Sequence, residues 1–328
     1  MRRETIINII ILLISIIIVI FLFEFINKFF FSHKPIFANI GKYNQPNSSV
    51  IYVTDEFNVT YRFNNYSERN SFESDYKNKI IVFGDSFTFG WGMNDNQTYV
   101  YILGEYLDKY KFQVNNVASA GNSIVGYWNN MKSRVELYNP KLVIIGIYAG
   151  NDIGPDDNGI KVIDIDKVFK NEQLNNINKW LYKNFKFWYY LLNIIGKIKY
   201  YIHKDYYNPC LFISQQEYKN AFSNLASINN YLKEKEIDLL LVIIPPKNNL
   251  NYKKSTVEKI IDDFCIPNNV KCINMQDEFK RLKTKNTYKY FYYKVDGHAN
   301  PQGQKAIADT IYDYLVRNKL IDVINSNN

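Results

Sequence analysis

The sequence predicts a three-layer α/β fold, in which helices cover both faces of a doubly wound, mainly parallel sheet of about five strands. Short apolar runs rich in Ile, Val and Leu recur between residues 80 and 274, and segments with helical periodicity separate them. Runs that are apolar at every position are typical of strands buried on both faces. Polar loops follow the first three runs, as expected at the carboxyl ends of parallel strands, where such sheets bind their ligands.

Length, charge and cysteine content exclude several classes of function. The chain has 328 residues, enough for one large domain with accessory segments, and a net charge of +8. Its lysines are scattered among acids without a nucleic-acid-binding motif, so we expect no nucleic-acid partner, and an acidic glycan or an anionic lipid fits the charge better. The three cysteines form no zinc-type cluster, and no structural metal is expected. Cys265 and Cys272 flank a short loop and could pair in an exported domain, or remain free thiols.

Residues 1–31 are predicted to form an N-terminal membrane anchor. A short basic start precedes an almost unbroken apolar run from Thr5 to Phe23, close to the ~20 residues that span a bilayer. A cleaved signal peptide is the alternative, but residues 24–31 offer no small-residue cleavage site. Arg2 and Arg3 favour a cytoplasmic N-terminus. We therefore expect a single-pass protein of the cytoplasmic membrane, with its catalytic domain outside.

Residues 32–78 are polar and rich in Asn, and we interpret them as a spacer between the anchor and a domain at 79–328. A weakly alternating stretch, Val50–Val53, could add a short strand or hairpin before the main sheet.

The order of elements in the domain follows from the alternation of apolar runs and helical segments. The first strand ends at Gly84-Asp85-Ser86, and the third polar loop contains Gly150-Asn151-Asp152. An aromatic, Lys-rich insertion at residues 153–214 interrupts the alternation. Its leading interpretation is a helical cap, and the alternative is a lid or an interfacial helix. The predicted elements after the first strand are a helix Thr98–Tyr110, a strand Phe112–Val117, a helix Val125–Tyr138, a strand Leu142–Tyr148, a helix Gln216–Lys235, a strand Leu239–Ile244, a helix Ser255–Phe264, a strand Val270–Asn274 and a helix Gln302–Val316.

Ser86 is a candidate nucleophile, and it needs a base to remove its proton and a third group to orient that base. Of the three histidines, His33 adjoins the predicted anchor and His203 lies in the insertion. His298 instead sits in a Gly/Asn/Pro loop, two residues after Asp296. His298 is therefore the candidate base by elimination and context, and a helix-capping or surface histidine is the alternative.

Acyl transfer also requires donors aimed at the developing oxyanion. The Ser86 and Gly121 N–H groups and the Asn151 side-chain amide could supply three, because each follows a different strand. Glycine at 121 would let the backbone approach a ligand closely, although a simple turn explains it too.

Four sequence blocks occur in this order: Gly84-Asp85-Ser86, Gly121, Gly150-Asn151-Asp152, and Asp296 with His298. Together they resemble the SGNH (GDSL-type) esterase and acyl-hydrolase family, over residues 79 to the end of the last helix. The resemblance implies a flavodoxin-like sheet, a Ser86-His298-Asp296 triad, an oxyanion hole at Ser86, Gly121 and Asn151, and no cofactor. The common last block of the family has two residues between Asp and His, whereas only Gly297 intervenes here. Some membrane-anchored relatives that act on cell-surface glycans share the shorter spacing.

The leading interpretation is a membrane-anchored serine esterase that removes an acyl group, acetyl first among the candidates, from a cell-surface carbohydrate or lipid. The alternatives are an O-acyltransferase that uses the same triad and a non-catalytic glycan-binding descendant.

Overall fold

The structure is a computed structural model and describes residues 3–30, 45–54, 56–153, 215–247, 256–283, 287–294 and 296–321. The chain divides into two compact units. One comprises Met1–Ala38 with Lys161–Leu211, and the other comprises Asn39–Ile160 with Phe212–Asn328. The predicted insertion at 153–214, apart from Ile153, lies outside the described residues.

The described part of the first unit is helix α1, Arg3–Phe30, which contains the apolar run at the start of the chain. Among the residues whose placement the structure describes, no helix combines the length and the apolarity needed to cross a membrane.

The second unit is built on a five-stranded parallel sheet, which confirms the predicted fold class. The strand order is β4-β3-β5-β6-β7, so the first strand of the sheet lies between the second and the third. Its strands are β3 (Asn78–Gly84), β4 (Phe112–Asn116), β5 (Leu142–Tyr148), β6 (Asp238–Ile244) and β7 (Lys271–Asn274). The order reverses direction at β3, and Ser86 follows this strand at the position where open α/β sheets form their ligand crevice.

Helices cover both faces of this sheet. Its described α-helices of four or more residues are α2 (Ser86–Phe89), α3 (Tyr99–Leu107), α4 (Ile124–Tyr138), α5 (Gln215–Glu234), α6 (Thr256–Ile260), α7 (Met275–Leu282), α8 (Thr287–Phe291) and α9 (Pro301–Arg317). On one face α3, α7 and α9 pack against alternate strand residues such as Val82 and Ile144, and on the other α4, α5 and α6 pack against Ile81 and Val143. The strands β3 to β6 therefore bury both of their faces, as expected for strands of a parallel sheet covered by helices, whereas in the edge strand β7 only Ile273 is buried.

Part of the predicted spacer belongs to the folded domain. Strands β1 (Ser49–Val53) and β2 (Asn58–Arg62) form an antiparallel hairpin, as the stretch at Val50–Val53 suggested. Its inner side chains, including Val59 and Tyr61, are buried with Phe89 and Trp91 from the segment after β3. The stretch 32–78, predicted as a spacer, thus contains a hairpin segment in which Phe57, Val59, Tyr61 and Phe63 are buried.

The pairing of two cysteines, which the sequence left open, is present in the structure. Cys265 and Cys272 form a disulfide that joins the end of the segment after α6 to β7. Cys210 lies outside the described residues.

Candidate active site

Ser86 lies on a tight strand-to-helix turn at the end of β3. Asp85 caps the short helix α2, because its carboxylate accepts a hydrogen bond of 2.8 Å from the Phe87 N–H. A Cβ at Gly84 would lie 1.9 Å from Thr88 Oγ1 and 2.9 Å from the Gly146 carbonyl oxygen of β5. Glycine is thus required at position 84 so that α2 can turn back onto the sheet.

The structure brings the predicted nucleophile, base and acid together. Ser86 Oγ lies 2.8 Å from His298 Nε2, and His298 Nδ1 lies 2.5 Å from Asp296 Oδ1. The imidazole therefore bridges the hydroxyl and the carboxylate, which is the arrangement needed to activate a serine.

The loop that carries His298 is fixed on both sides. Tyr292 and Ala299 form an antiparallel bridge, and the Tyr293 N–H donates to the His298 carbonyl oxygen at 2.9 Å. Asn300 then caps α9 by accepting from the Gly303 N–H. His298 thus projects from a hairpin-like turn and does not cap the helix, which was its alternative reading.

Asp296 is held as a carboxylate. Burial alone would raise its pKa, but the hydrogen bonds and the charge of His298, with the Trp91 indole N–H, hold the pKa of Asp296 below its usual range. The ionised form is the one that can accept from His298 Nδ1–H and orient the ring.

Gly121 and Asn151 lie on the two loops that flank Ser86 at the same edge of the sheet. The loop after β4 runs beside the nucleophile turn, since the Ser119 N–H donates to the Gly84 carbonyl oxygen at 3.1 Å. Gly121 has a φ of +81°, which a glycine adopts without strain. Among the described residues, none donates a hydrogen bond to the buried Asn151 Oδ1. The three predicted oxyanion residues are thus on neighbouring loops.

Two acids of the loops around Ser86, Asp85 and Asp152, are fully buried, and their sequence pattern predicts no role for them. Burial raises the pKa of Asp85 to about 6, although the Phe87 N–H and nearby His298 lower it. Burial and the charge of Asp85 raise the pKa of Asp152 well above its usual range. Asp152 Oδ2 accepts from Tyr127 Oη and the Tyr148 N–H, both at 2.8 Å. This network fixes the loop that carries Asn151.

Two further residues, Trp91 and Glu56, form hydrogen bonds with Asp296, and the sequence alone did not indicate either of them. The Trp91 Nε1–H donates to Asp296 Oδ2, and Glu56 Oε2 accepts from the Asp296 N–H. Trp91 lies five residues after Ser86 and could have been suspected from that proximity. Glu56 is distant from Asp296 in sequence, and no local pattern identifies it.

Possible metal ligands and one cavity can also be described in the part of the chain whose placement is known. No group of three or more His, Cys, Asp or Glu side chains there could hold a metal ion. A surface cavity of about 760 Å³ is lined by residues of α3, of the turn that follows it, of α7 and of α9, and its lining includes none of Ser86, His298 and Asp296.

Comparison with known proteins identifies one family. Residues 80–311 match the family described as GDSL-like lipase/acylhydrolase, so the match covers more than half of the chain. Among curated proteins, none matches this chain significantly in sequence.

Several solved structures are similar at low identity. A crystal structure of TesA has a TM-score of 0.45 and 16% identity, covering 73% of this chain and 98% of that one. The psychrotrophic esterase EstA from Pseudoalteromonas sp. has a TM-score of 0.43 and 16% identity, with 73% and 97% coverage. The acetyl xylan esterase AlAXEase has a TM-score of 0.44 and 15% identity, with 72% and 99% coverage. At these scores the likeness carries no information about the substrate of this chain.

Proposed function

Because the chain belongs to the GDSL-like lipase/acylhydrolase family and is therefore a hydrolase that acts on ester bonds, we propose that it cleaves its ester through an acyl-enzyme on Ser86. The observation that carries this proposal is the continuous contact from Ser86 Oγ through the His298 ring to Asp296, at 2.8 and 2.5 Å. A serine without such a base is a poor nucleophile at neutral pH.

In the proposed first step, His298 Nε2 takes the proton of Ser86 Oγ while the oxygen attacks the carbonyl carbon of the ester. The tetrahedral intermediate then collapses, the C–O bond to the alcohol breaks, and the imidazolium gives its proton to the leaving alcohol oxygen. Water enters, loses a proton to His298 and attacks the acyl carbon, and Ser86 regains a proton as the acid leaves. Asp296 stabilises the imidazolium during both steps.

We assign the oxyanion site to the Ser86 N–H, the Gly121 N–H and the Asn151 side-chain amide. Donors that are fixed before the reaction stabilise the negative oxygen of the intermediate without reorganisation, and one such donor is worth about 3 to 4 kcal/mol. The placement of these residues on adjoining loops supports the assignment, and the buried contacts of Asp152 make the Asn151 loop rigid.

As the substrate we propose an acyl ester, acetyl first among the candidates, on a carbohydrate or lipid at the cell surface. Two features of the sequence support a surface substrate. The net charge of +8 favours anionic glycans or lipids over neutral solutes, and the apolar run from Thr5 to Phe23 favours a membrane location.

We propose that the N-terminal helix anchors the chain in the cytoplasmic membrane with the catalytic unit outside. The disulfide between Cys265 and Cys272 supports export, because such bonds persist in oxidising compartments. Reporter fusions after Asn328 test this topology. Strong alkaline phosphatase activity would support it, and activity from a cytoplasmic reporter alone would contradict it.

The esterase proposal is tested with the full-length protein, purified in detergent, and p-nitrophenyl acetate. We expect steady release of p-nitrophenol that depends on Ser86. A folded protein that releases none would favour the glycan-binding alternative. Candidate glycan acceptors are then added while free acetate and acetylated sugar are both measured. Acetylated sugar in excess of free acetate at modest acceptor concentration would replace the hydrolase with the O-acyltransferase alternative.

A further inference from the structure

The two carboxylate oxygens of Asp296 have different partners. Oδ1 lies 2.5 Å from His298 Nδ1 and also accepts from the His298 backbone N–H at 3.2 Å. Oδ2 accepts from the Trp91 indole N–H at 3.2 Å. The Asp296 side chain is only 10% exposed, so each oxygen depends on a protein donor. His298 bonds only Oδ1, so its contacts alone would let the carboxylate rotate. The Trp91 bond to Oδ2 therefore fixes the orientation of the carboxylate.

The backbone of Asp296 is held by Glu56. Glu56 Oε2 accepts from the Asp296 N–H at 2.6 Å. The next residue, Gly297, has a φ of +89°, and, apart from its chain neighbours, no described atom lies within 4 Å of the position that a Cβ would take there. The loop is therefore open on this side of Gly297, and the Glu56 contact restrains the backbone next to it.

Glu56 is itself positioned by the turn of the β1–β2 hairpin. Thr54 Oγ1 accepts from the Glu56 N–H at 3.2 Å and from the Phe57 N–H at 3.1 Å. The Thr54 N–H donates to the Phe57 carbonyl oxygen at 2.8 Å. The Phe57 ring then packs 5.1 Å from the ring of Tyr293, three residues before Asp296. The hairpin turn is therefore internally bonded and is also packed on the loop that it holds.

The same hairpin contacts the segment that follows the nucleophile. The Trp91 ring lies 5.0 Å from Tyr52 of β1 and 6.1 Å from Tyr61 of β2. The Gly92 N–H donates to Tyr61 Oη at 3.0 Å, and Tyr293 Oη donates to the Gly92 carbonyl oxygen at 2.7 Å. The hairpin, the segment after Ser86 and the Asp296 loop thus form one connected structure.

Building on the proposed esterase function, we propose that Trp91 and Glu56 are positioning residues that hold Asp296 against His298. They keep the His298 Nδ1–H bonded to Asp296. This bond orients the ring so that Nε2 points towards Ser86 Oγ. The β1–β2 hairpin, which precedes the first strand of the parallel sheet in sequence, carries Glu56 at its turn and packs against Trp91, so these contacts support the position of Asp296. It stabilises a triad whose acid and base are separated by a single glycine.

The first test is Trp91→Phe in the full-length protein, assayed with p-nitrophenyl acetate. Phenylalanine keeps an aromatic ring against Tyr52 and Tyr61 but removes the indole N–H. Because a charge-assisted hydrogen bond to one oxygen of the orienting carboxylate is lost, we expect kcat to fall by about ten-fold or more, with little change in KM. A variant that unfolds is recognised from its circular dichroism, and the Glu56 variants then decide.

The second test distinguishes the effect of the Glu56 hydrogen-bond acceptor from the effect of the size of its side chain. Glu56→Ala removes the acceptor for the Asp296 N–H and should lower kcat, whereas Glu56→Gln retains a carbonyl oxygen and should recover most of the loss. Ile51→Thr is the matched control, because Ile51 is on the same hairpin and 71% exposed. It should leave kcat unchanged.

A readout independent of turnover comes from proton NMR. The Nδ1–H of a histidine bonded to a carboxylate gives a far-downfield signal, here identified by its loss in His298→Ala. We expect this signal in the wild type and its weakening or shift in Trp91→Phe and Glu56→Ala. A wild type without ester hydrolysis would overturn the proposed function while the NMR series still tests the positioning. The positioning proposal fails if the wild type lacks the signal, if both variants keep wild-type kcat and signal, or if Glu56→Gln loses as much as Glu56→Ala.

Discussion

Replacing Asp85 with Asn should make the protein more stable at neutral pH and leave its stability nearly unchanged below about pH 4. Asp85 is fully buried, and burial raises its pKa from 3.8 to about 6, although the Phe87 N–H and nearby His298 lower it. Asparagine keeps an oxygen that can accept from the Phe87 N–H and so preserves the cap on α2. The substitution therefore removes a titrating group without removing its main structural contact.

The sign and size of the effect follow from proton linkage. The unfolded chain releases the Asp85 proton near 3.8, whereas the native state keeps it until about pH 6. The native state binds more protons in this window, so its free energy of unfolding falls as the pH rises through it and is then constant. A rise of about two units, at about 1.4 kcal/mol each, makes the Asn variant about 3 kcal/mol more stable at neutral pH.

Urea unfolding followed by tryptophan fluorescence, at pH values below, within and above this window, measures the difference between wild type and variant. Asp262→Asn is the control, because Asp262 is exposed, and its difference from the wild type should stay nearly constant with pH. An Asp85→Asn protein whose relative stability does not rise with pH would refute the account of Asp85 as a buried acid that retains its proton.

The remaining predictions concern catalysis and the nucleophile turn. Ser86→Ala and His298→Ala should each reduce kcat/KM for p-nitrophenyl acetate nearly to background, and the double variant should lose no more, because the two act as a unit. Independent, additive losses would speak against that unit. Asn151→Ala should lower kcat by about 10² to 10³-fold and leave measurable turnover, as expected for one oxyanion donor, and full activity would remove Asn151 from the site. Gly84→Ala should destabilise the protein by about 3 kcal/mol or more, since its Cβ would meet Thr88 Oγ1 and the Gly146 carbonyl oxygen. An unchanged urea midpoint would contradict the close approach.

The central sheet could be predicted because its strands are apolar at nearly every position. Leu142–Tyr148 has the predicted bounds, and Asp238–Ile244 differs by one residue. Helix α7 was missed, because it is short and follows β7 directly, with Met275 and Phe279 as its main buried apolar residues. Such a pattern is too brief to indicate a helix from sequence alone.

The contact between Ser86 and His298 was predictable because each residue adjoins an element that the sequence indicates. Ser86 follows strand β3, and His298 precedes helix α9. Glu56 was not predictable, since its contact with Asp296 depends on how the hairpin packs on the domain. The same is true of the pKa of Asp152, which depends on burial and on the charge of Asp85. Such properties arise from tertiary packing and leave no local pattern in the sequence.

In the proposed mechanism, Ser86 carries the acyl group during ester hydrolysis. The most direct measurement mixes the full-length protein with p-nitrophenyl acetate, quenches it in acid within one turnover, and determines the masses of its proteolytic peptides. We expect one added acetyl group on the peptide that contains Ser86 and none in Ser86→Ala. Hydrolysis that continues in Ser86→Ala, or an acetyl group on another residue of the active wild type, would contradict it.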